Sequence, residues 1–222
     1  MRQLLRSLFF IAMCLAAIPA PAQDQYSMHI ARIKYGGGGD WYGDEQSLWE
    51  LLAFARRETL MDVAPREDVV ELSSDKLYSY PYVYLTGHGN VRFTADEARR
   101  LRHYLEGGGF LHIDDNYGLD RHIRREMKKV FPEQEFVELP FDHPVFHSHF
   151  EFPAGLPKIH EHDGKPPQGF GLFVDGRLVV FYSYESDLGD GWEPKEVHHV
   201  PDNMRLAALR MGVNLLSYAM TH

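Results

Sequence analysis

Cysteine is almost absent from this chain, which has one, Cys14, among its 222 residues. Cys14 lies in an N-terminal segment that we expect to be removed. The remaining chain then has no thiol for a disulfide, for nucleophilic catalysis or for a thiolate metal site. A core of this size needs no such cross-link.

Basic residues are also scarce, with 23 lysines and arginines against 32 aspartates and glutamates and a net charge of −9. Two of the arginines lie in the expected leader, so its removal makes the protein more acidic. This balance argues against nucleic acid or an anionic membrane surface as a partner. The sequence points to no particular protein partner.

Long apolar runs are missing except at the N-terminus, where residues 8–18 follow two arginines and precede Ala20-Pro21-Ala22. The run is too short to span a membrane comfortably, and the small residues after it are typical of a signal-peptide cleavage site. We therefore predict a signal peptide over residues 1–22, a periplasmic or secreted protein, and one domain over 23–222. A retained anchor is the alternative; no stable membrane span is expected after cleavage.

Nucleotide-binding motifs are absent as well. The four glycines from Gly36 to Gly39 do not fit G-x-G-x-x-G, and no Gly-Lys-Ser/Thr follows them. The run either lets the backbone approach a ligand closely or forms a flexible turn.

Strand and helix patterns alternate along most of the chain. The clearest helix begins with a capping box of Thr94 and Glu97 and ends at glycines. The pattern predicts βαβ units, a mostly parallel sheet and a hairpin that turns at Asp175-Gly176. The predicted strands are 28–34, 69–72, 82–85, 110–113, 136–139, 170–174 and 178–184, and the predicted helices are 45–57, 94–106, a segment around 123–130, and 203–219.

Polar loops follow three of these strands, and ligands of open α/β sheets bind beyond the carboxyl ends of the strands. His88, Asp114 and Asp115 are the candidates for proton transfer, with the aspartates as alternative metal ligands. Their structural alternatives are a surface turn for His88 and helix capping for the aspartates. The candidate ligand-binding residues of these loops are Gly37, Gly38, Asp40, Trp41, Asn90, Asn116 and Tyr117.

Histidines are concentrated between Asp142 and Asp163, within a long loop rich in proline and glycine. His160 and His162 project to one side if the segment is extended, which is a common way to present two imidazoles to one metal. With His143 they are the predicted ligands of a divalent metal such as zinc. Alternatively, these histidines hydrogen-bond the loop backbone or transfer protons without a metal. Lys165 is a candidate for holding an anionic group of a substrate.

Acidic residues recur from Glu185 to Glu193, and they include Asp187 and Asp190. Oxygen ligands of this kind suit a hard cation, but the spacing is not that of an EF-hand, so a solvated acidic loop is the favoured interpretation. Four aromatic residues are either sugar-stacking platforms or ordinary core residues. They are Trp41, Tyr42, Tyr117 and Trp192.

Five motifs together resemble the bacterial domain-of-unknown-function family 4159, over roughly residues 28–220, and that family brings no established activity. They are K-Y-G-G-G-G-D-W-Y (34–42), T-G-H-G-N (86–90), D-D-N-Y-G (114–118), L-P-F-D-H-P (139–144) and H-E-H-D-G (160–164). The unit from the strand before Thr86 to the strand ending at Ile113 more distantly resembles the class I glutamine amidotransferase-like superfamily, including its ThuA-like branch. That resemblance implies a flavodoxin-like three-layer α/β/α sandwich. It does not imply glutaminase activity, which needs a cysteine nucleophile.

Two functional hypotheses follow. The first is an exported metal-assisted hydrolase of a saccharide or another small polar metabolite, motivated by acidic, histidine-rich and glycine loops at one predicted crevice. The second is a non-catalytic ligand-binding or interaction module of the cell envelope, motivated by the lack of a complete catalytic motif.

Overall fold

The computed structural model describes residues 26–222 and contains one seven-stranded sheet with helices on both faces. The predicted signal peptide lies outside these residues. The strands are β1 (Ile30–Lys34), β2 (Asp68–Glu71), β3 (Tyr82–Leu85), β4 (Phe110–Asp114), β5 (Val137–Glu138), β6 (Gln168–Val174) and β7 (Arg177–Tyr184). The α-helices are α1 (Ser47–Glu58), α2 (Ala95–Glu106), α3 (Asp120–Val130), α4 (Leu188–Trp192), α5 (Lys195–His198) and α6 (Asp202–Thr221).

The sheet has the strand order β2-β1-β3-β4-β7-β6-β5. The pairs among β2, β1, β3, β4 and β7 are parallel, whereas β6 pairs antiparallel with both β7 and β5. Asp175 and Gly176 both have positive φ at the turn between β6 and β7, as a tight two-residue hairpin requires. The predicted mostly parallel sheet with an added hairpin is therefore confirmed.

The sheet separates two hydrophobic cores because successive strand residues point to opposite faces. Tyr82 and Tyr84 pack with α1 and α6 on one face, while Val83 and Leu85 pack with α2 and α3 on the other. Both faces are covered, so all four residues of the central strand β3 are buried. This arrangement fixes the carboxyl ends of β1, β3, β4 and β7 at one edge of the sheet.

The chain from 186 to 201 was predicted as a loop, but it contains the short helices α4 and α5. Leu188 and Trp192 of α4 are fully buried, and the Trp192 indole donates a hydrogen bond to the Ala208 carbonyl oxygen. Helix α4 is thus packed against α6 rather than solvated, whereas α5 has no buried residue.

Across residues 26–222, no helix combines the length and apolar character needed to cross a bilayer.

The capping box predicted for α2 is present, with the Thr94 hydroxyl accepting from the Glu97 amide and the Glu97 carboxylate accepting from the Thr94 amide. We expect Thr94→Ala to lower the free energy of unfolding by about 1 kcal/mol, since the Glu97 amide loses its acceptor. Thermal unfolding should show a decrease in Tm of about 2–4 °C. Thr221→Ala, near the exposed end of α6, serves as the control. Equal Tm values for the two variants would contradict the prediction.

Candidate functional site

A group of buried and half-buried carboxylates and imidazoles lies at the carboxyl edge of the sheet. Asp44 follows β1, Asp114 ends β4, and Asp187 and Asp190 follow β7. Parallel pairing makes β4 and β7 end side by side, with Asp114 opposite Ser183. Residues far apart in sequence are thereby brought together.

Three carboxylates form the centre of this group, which we call the acidic cluster (Asp44, Asp187 and Asp190). Each contributes one oxygen, and the three oxygens lie within 4.8 Å of one another. Asp187 is 4% and Asp190 is 6% exposed. Carboxylates this close together repel one another when they are shielded from water, so the cluster needs protons or cations nearby.

Three histidines supply the nearest cationic or nitrogen-donor groups. Nδ1 of His160 lies 2.5 Å from Oδ2 of Asp190, and Nε2 of His198 lies 3.2 Å from Oδ1 of the same residue. Nε2 of His162 lies 3.1 Å from Oδ2 of Asp187. Three potential metal-ligand atoms, one each from His160, His198 and Asp190, also lie within 4.8 Å of one another.

The long histidine-rich loop is held at this site by hydrogen bonds with the segment that follows β7. The Ile159 amide donates to the Ser186 carbonyl oxygen, and the Ser186 hydroxyl donates to the Pro157 carbonyl oxygen. Nζ of Lys158 lies 2.5 Å from the buried carboxylate of Glu185, which also accepts from the Asp163 amide. These contacts hold His160 and His162 in place.

The surroundings of the site raise the pKa of one carboxyl group and of one imidazole. Burial, followed by the negative charges of Asp187 and Asp44, raises the pKa of Asp190 to about 9. Burial alone would lower the pKa of His162, but the neighbouring carboxylates of Asp115 and Asp187 raise it to about 10. The site thus favours a protonated carboxyl at Asp190 and an imidazolium at His162, and a bound cation would compete with these protons.

Two buried polar atoms of the site have no hydrogen-bond partner among the described residues, namely Oδ1 of Asp187 and Nδ1 of His162. Buried polar atoms are rarely left in this state. A buried carboxylate oxygen without a donor is an atom that a metal ion could satisfy.

Backbone strain is concentrated at the same place. Asp44, Glu185 and Asp187 all have φ between 54° and 58°, in the left-handed region that disfavours side chains with a Cβ. Arg32 helps to hold the first of these turns, since its guanidinium donates to the Gly43 and Asp44 carbonyl oxygens. Strained residues of this kind accumulate at functional sites.

Asp114, a predicted catalytic residue, is occupied as a structural acceptor. It accepts hydrogen bonds from the Tyr84 and Ser183 hydroxyls at 3.1 and 2.5 Å. It also accepts from the Leu188 and Gly189 amides at 3.1 and 2.5 Å. Burial raises its pKa to about 7. These four donors leave its oxygens little capacity for another ligand, so Asp114 anchors the start of α4.

Asp115 and Asn116 are also buried and serve different contacts. Asp115 accepts from the Glu185 amide, and its carboxylate lies 3.6 Å from Nδ1 of His162. The Asn116 amide donates to Asp44, while its oxygen accepts from the Thr86 hydroxyl. Asn116 therefore orients a member of the acidic cluster.

The glycine loop and the Gly-His-Gly loop pair with each other. Nδ1 of His88 lies 3.1 Å from Oδ2 of Asp40, and the Asn90 amide donates to the Gly37 carbonyl oxygen at 3.0 Å. A Cβ at Gly37 would lie 2.7 Å from the Asn90 carbonyl oxygen, so glycine is needed there, whereas Gly38 faces open space. No contact in the described structure links His88 to the acidic cluster.

His143 lies apart from His160 and His162. Its ring packs against Phe173 and Tyr218, with centroids 6.1 and 5.8 Å away, and Nδ1 accepts from the Val145 amide. The short 3-10 helix that begins at Pro144 places it there. The structure thus corrects the prediction of a three-histidine group, and His198 instead joins His160.

A cavity of about 380 Å³ has His162 in its wall but none of the three aspartates of the acidic cluster, to which it is linked through the contact between His162 and Asp187. Tyr117 also lines this cavity, is 62% exposed and meets the His162 ring edge-on. Nζ of Lys165 donates to the hydroxyl of Tyr184, another lining residue. Trp41 instead lines a separate cleft near β2.

The residues that the sequence interpretation missed are Asp44 and His198, and it misjudged Asp187 and Asp190. The prediction of a solvated acidic loop is wrong, because Glu185, Asp187, Asp190 and Glu193 are all buried. Their position after the last parallel strand was the available signal, since that strand ends at the same edge as β4.

A family model described as a domain of unknown function (DUF4159) matches residues 29–220. No curated protein matches this chain.

Proposed function

This chain belongs to the family of the domain of unknown function DUF4159, and we propose that it is an exported, divalent-metal-dependent hydrolase of a saccharide or another small polar metabolite. The proposed site is the acidic cluster with His160 and His198, and the cavity beside His162 admits the substrate. Export is supported by the leader-like sequence of residues 1–22.

The observation that carries this proposal is the buried excess of carboxylate oxygens. Three of them lie within 4.8 Å of one another, and Oδ1 of Asp187 has no hydrogen-bond partner in the described structure. Carboxylates together with imidazoles suit zinc or another first-row divalent metal. A purely structural role would favour carboxylates that are farther apart or paired one to one with cations.

The roles of the protein groups follow from their positions. Asp44, Asp187 and Asp190 with His160 and His198 would hold the metal, which lowers the pKa of a bound water and polarises a substrate oxygen. His162 lines the cavity and is held by Asp187, so it is placed to give a proton to a leaving group. Asn116 holds the side chain of Asp44 in position, and Arg32 holds its backbone.

The strand order supports a flavodoxin-like assignment within the class I glutamine amidotransferase-like superfamily. The series β2-β1-β3-β4-β7 corresponds to the 2-1-3-4-5 order of that fold, with the β6–β5 pair added at one edge. Glutaminase chemistry does not accompany the fold here. Cys14 is the sole cysteine and lies in the predicted leader.

Metal analysis with matched histidine variants tests the proposal. The purified protein is incubated with zinc, manganese, magnesium and calcium, dialysed, and analysed by mass spectrometry. We expect about one equivalent of one metal in the wild type and in His143→Ala, and a large decrease in His160→Ala, because His160 contacts the acidic cluster and His143 does not. Equal trace metal in all three proteins would remove the metal from the proposal.

The alternative is a non-catalytic binding module, and one observation favours it. Several polar loop residues satisfy each other, as Asp40 does with His88 and Asn90 with the Gly37 carbonyl oxygen. Assays on chromogenic phosphate esters, carboxylate esters and glycosides, with and without EDTA, separate the two functions. A metal-loaded protein that turns over none of these substrate classes would favour the binding module.

A further inference from the structure

A second cleft lies at the β1–β2 side of the molecule and has a volume of about 520 Å³. It contains none of the carboxylates or imidazoles of the acidic cluster. We call it the aromatic cleft, and its lining residues used below are Arg32, Trp41, Tyr42, Trp49, Arg66 and Glu67.

Aromatic rings dominate this surface. Two of the three tryptophans of the chain line the cleft, together with Tyr42, which is 63% exposed. The Trp41 and Tyr42 rings are nearly perpendicular, at 87° and with centroids 5.6 Å apart. The Arg66 guanidinium lies 4.1 Å from the Trp49 ring centroid, so a flat polar group already stacks on that ring. Trp41 and Trp49 are half-buried, so part of each ring also remains accessible to a ligand.

A buried carboxylate accompanies the rings. Glu67 lies 3.5 Å from the Arg32 guanidinium, and its side chain is 7% exposed. Its Oε2 atom has no hydrogen-bond partner in the described part of the chain. Burial raises the pKa of Glu67, against the opposing effects of Arg32 and of a hydrogen bond with Trp49. An acceptor of this kind at the base of an aromatic surface matches a ligand that presents hydroxyl groups.

The charges of the cleft indicate an uncharged ligand. Arg32 and Arg66 face Glu45 and Glu67, so two cations are balanced by two anions. A nucleic acid or a polyanion would meet the two glutamates, and a cationic ligand would meet the two arginines. A neutral polyhydroxyl ring avoids both conflicts and combines an apolar face with hydrogen-bonding edges.

We propose that the aromatic cleft binds a neutral saccharide, with the apolar face of a pyranose ring stacked on Trp41 or Trp49 and its hydroxyls directed to Glu67 and the arginines. Aromatic faces and planar polar side chains supply the two kinds of contact that a sugar ring needs. The binding does not depend on the proposed metal-dependent activity.

Titration with soluble oligosaccharides tests this proposal. Maltotetraose, cellotetraose and chitotetraose are each added to the purified protein in EDTA, and tryptophan fluorescence and binding heat are recorded. We expect saturable binding of at least one of them, weakened about tenfold in Trp41→Ala and in Trp49→Ala. Glu67→Gln should weaken binding severalfold, and circular dichroism verifies that each variant is folded.

Phe141→Ala is the control, because Phe141 is an aromatic residue that is 52% exposed and lines neither the aromatic cleft nor the cavity beside His162. It should bind the same oligosaccharide with unchanged affinity. The proposal is overturned if none of the three sugars binds saturably up to about 20 mM, a weak-binding limit. It is also overturned if Phe141→Ala loses binding while both tryptophan variants keep it. Because EDTA removes metal, neither result bears on the metal proposal.

Discussion

Replacement of Asp114 by alanine is expected to lower the free energy of unfolding by about 2–4 kcal/mol, because four donors lose their acceptor. Two of the donors are the Leu188 and Gly189 amides at the start of α4, and two are the Tyr84 and Ser183 hydroxyls. All four donor residues are buried, so water cannot take the place of the carboxylate as their acceptor. Relief of the repulsion between Asp114 and Asp187 offsets part of this loss.

Urea denaturation of Asp114→Ala and of the exposed control Asp142→Ala measures this effect. The control should lie within about 0.5 kcal/mol of the wild type, as is usual for surface substitutions. A change below about 1 kcal/mol for Asp114→Ala would show that the donors find other partners, and the structural role of Asp114 would be wrong.

Ser183 helps to define this role, since it connects Asp114 to a second buried network. The Ser183 hydroxyl donates to Asp114, while the His112 ring lies 2.9 Å from the Ser183 oxygen and 2.9 Å from the Tyr82 hydroxyl. Burial lowers the pKa of His112 to about 3, so this imidazole is neutral and can donate from one nitrogen and accept at the other. In the arrangement that satisfies all three groups, the Tyr82 hydroxyl donates to His112, the other ring nitrogen of His112 donates to Ser183, and the Ser183 hydroxyl donates to Asp114.

The fold was predictable because its signals are local. The run Tyr82–Leu85 is apolar on both faces, as a central parallel strand must be, and all four residues are buried. The capping box at Thr94 likewise depends on residues only three apart. The short helices α4 and α5 escaped prediction because one is only five residues long and contains two glycines, and the other is only four residues long.

The site was only partly predictable, because its contacts join distant residues. His160 and His162 could be selected from their spacing, but their partners Asp187 and Asp190 lie more than 20 residues further on. An acidic loop is normally solvated, and nothing local shows that imidazoles from another loop will cover it. His143 shows the opposite error, since its nearness in sequence did not place it at the site, and it packs on Tyr218 instead.

Asp190→Asn should change stability in opposite directions with and without metal. Without metal we expect the variant to be more stable than the wild type by about 1–2 kcal/mol at pH 7. The reason is that a linkage cost of about 4 kcal/mol is removed, and the lost contacts with His160 and His198 offset part of it. With a saturating metal we expect the wild type to gain about 2.7 kcal/mol at a free concentration of one hundred times Kd, and the variant to gain little. The two Tm values should therefore change order when metal is added.

The sign of the first effect follows from proton linkage. The pKa of Asp190 is raised to about 9 by burial and by the charges of Asp187 and Asp44. The folded protein thus holds a proton that the unfolded chain releases above about pH 4, and stability falls as pH rises from there to about 9. An uncharged asparagine removes this cost at pH 7. It also removes a ligand charge, and so it weakens metal binding.

Thermal unfolding in EDTA and in the metal identified by mass spectrometry measures both effects. About 2.7 kcal/mol corresponds to an increase in Tm of roughly 5–10 °C for a protein of this size. Asp142→Asn makes the same chemical change at an exposed position and should respond like the wild type. An equal metal-induced increase in Asp190→Asn would exclude Asp190 as a ligand. A variant less stable than the wild type in EDTA would show that the contacts of Asp190 with His160 and His198 outweigh the repulsion among the carboxylates.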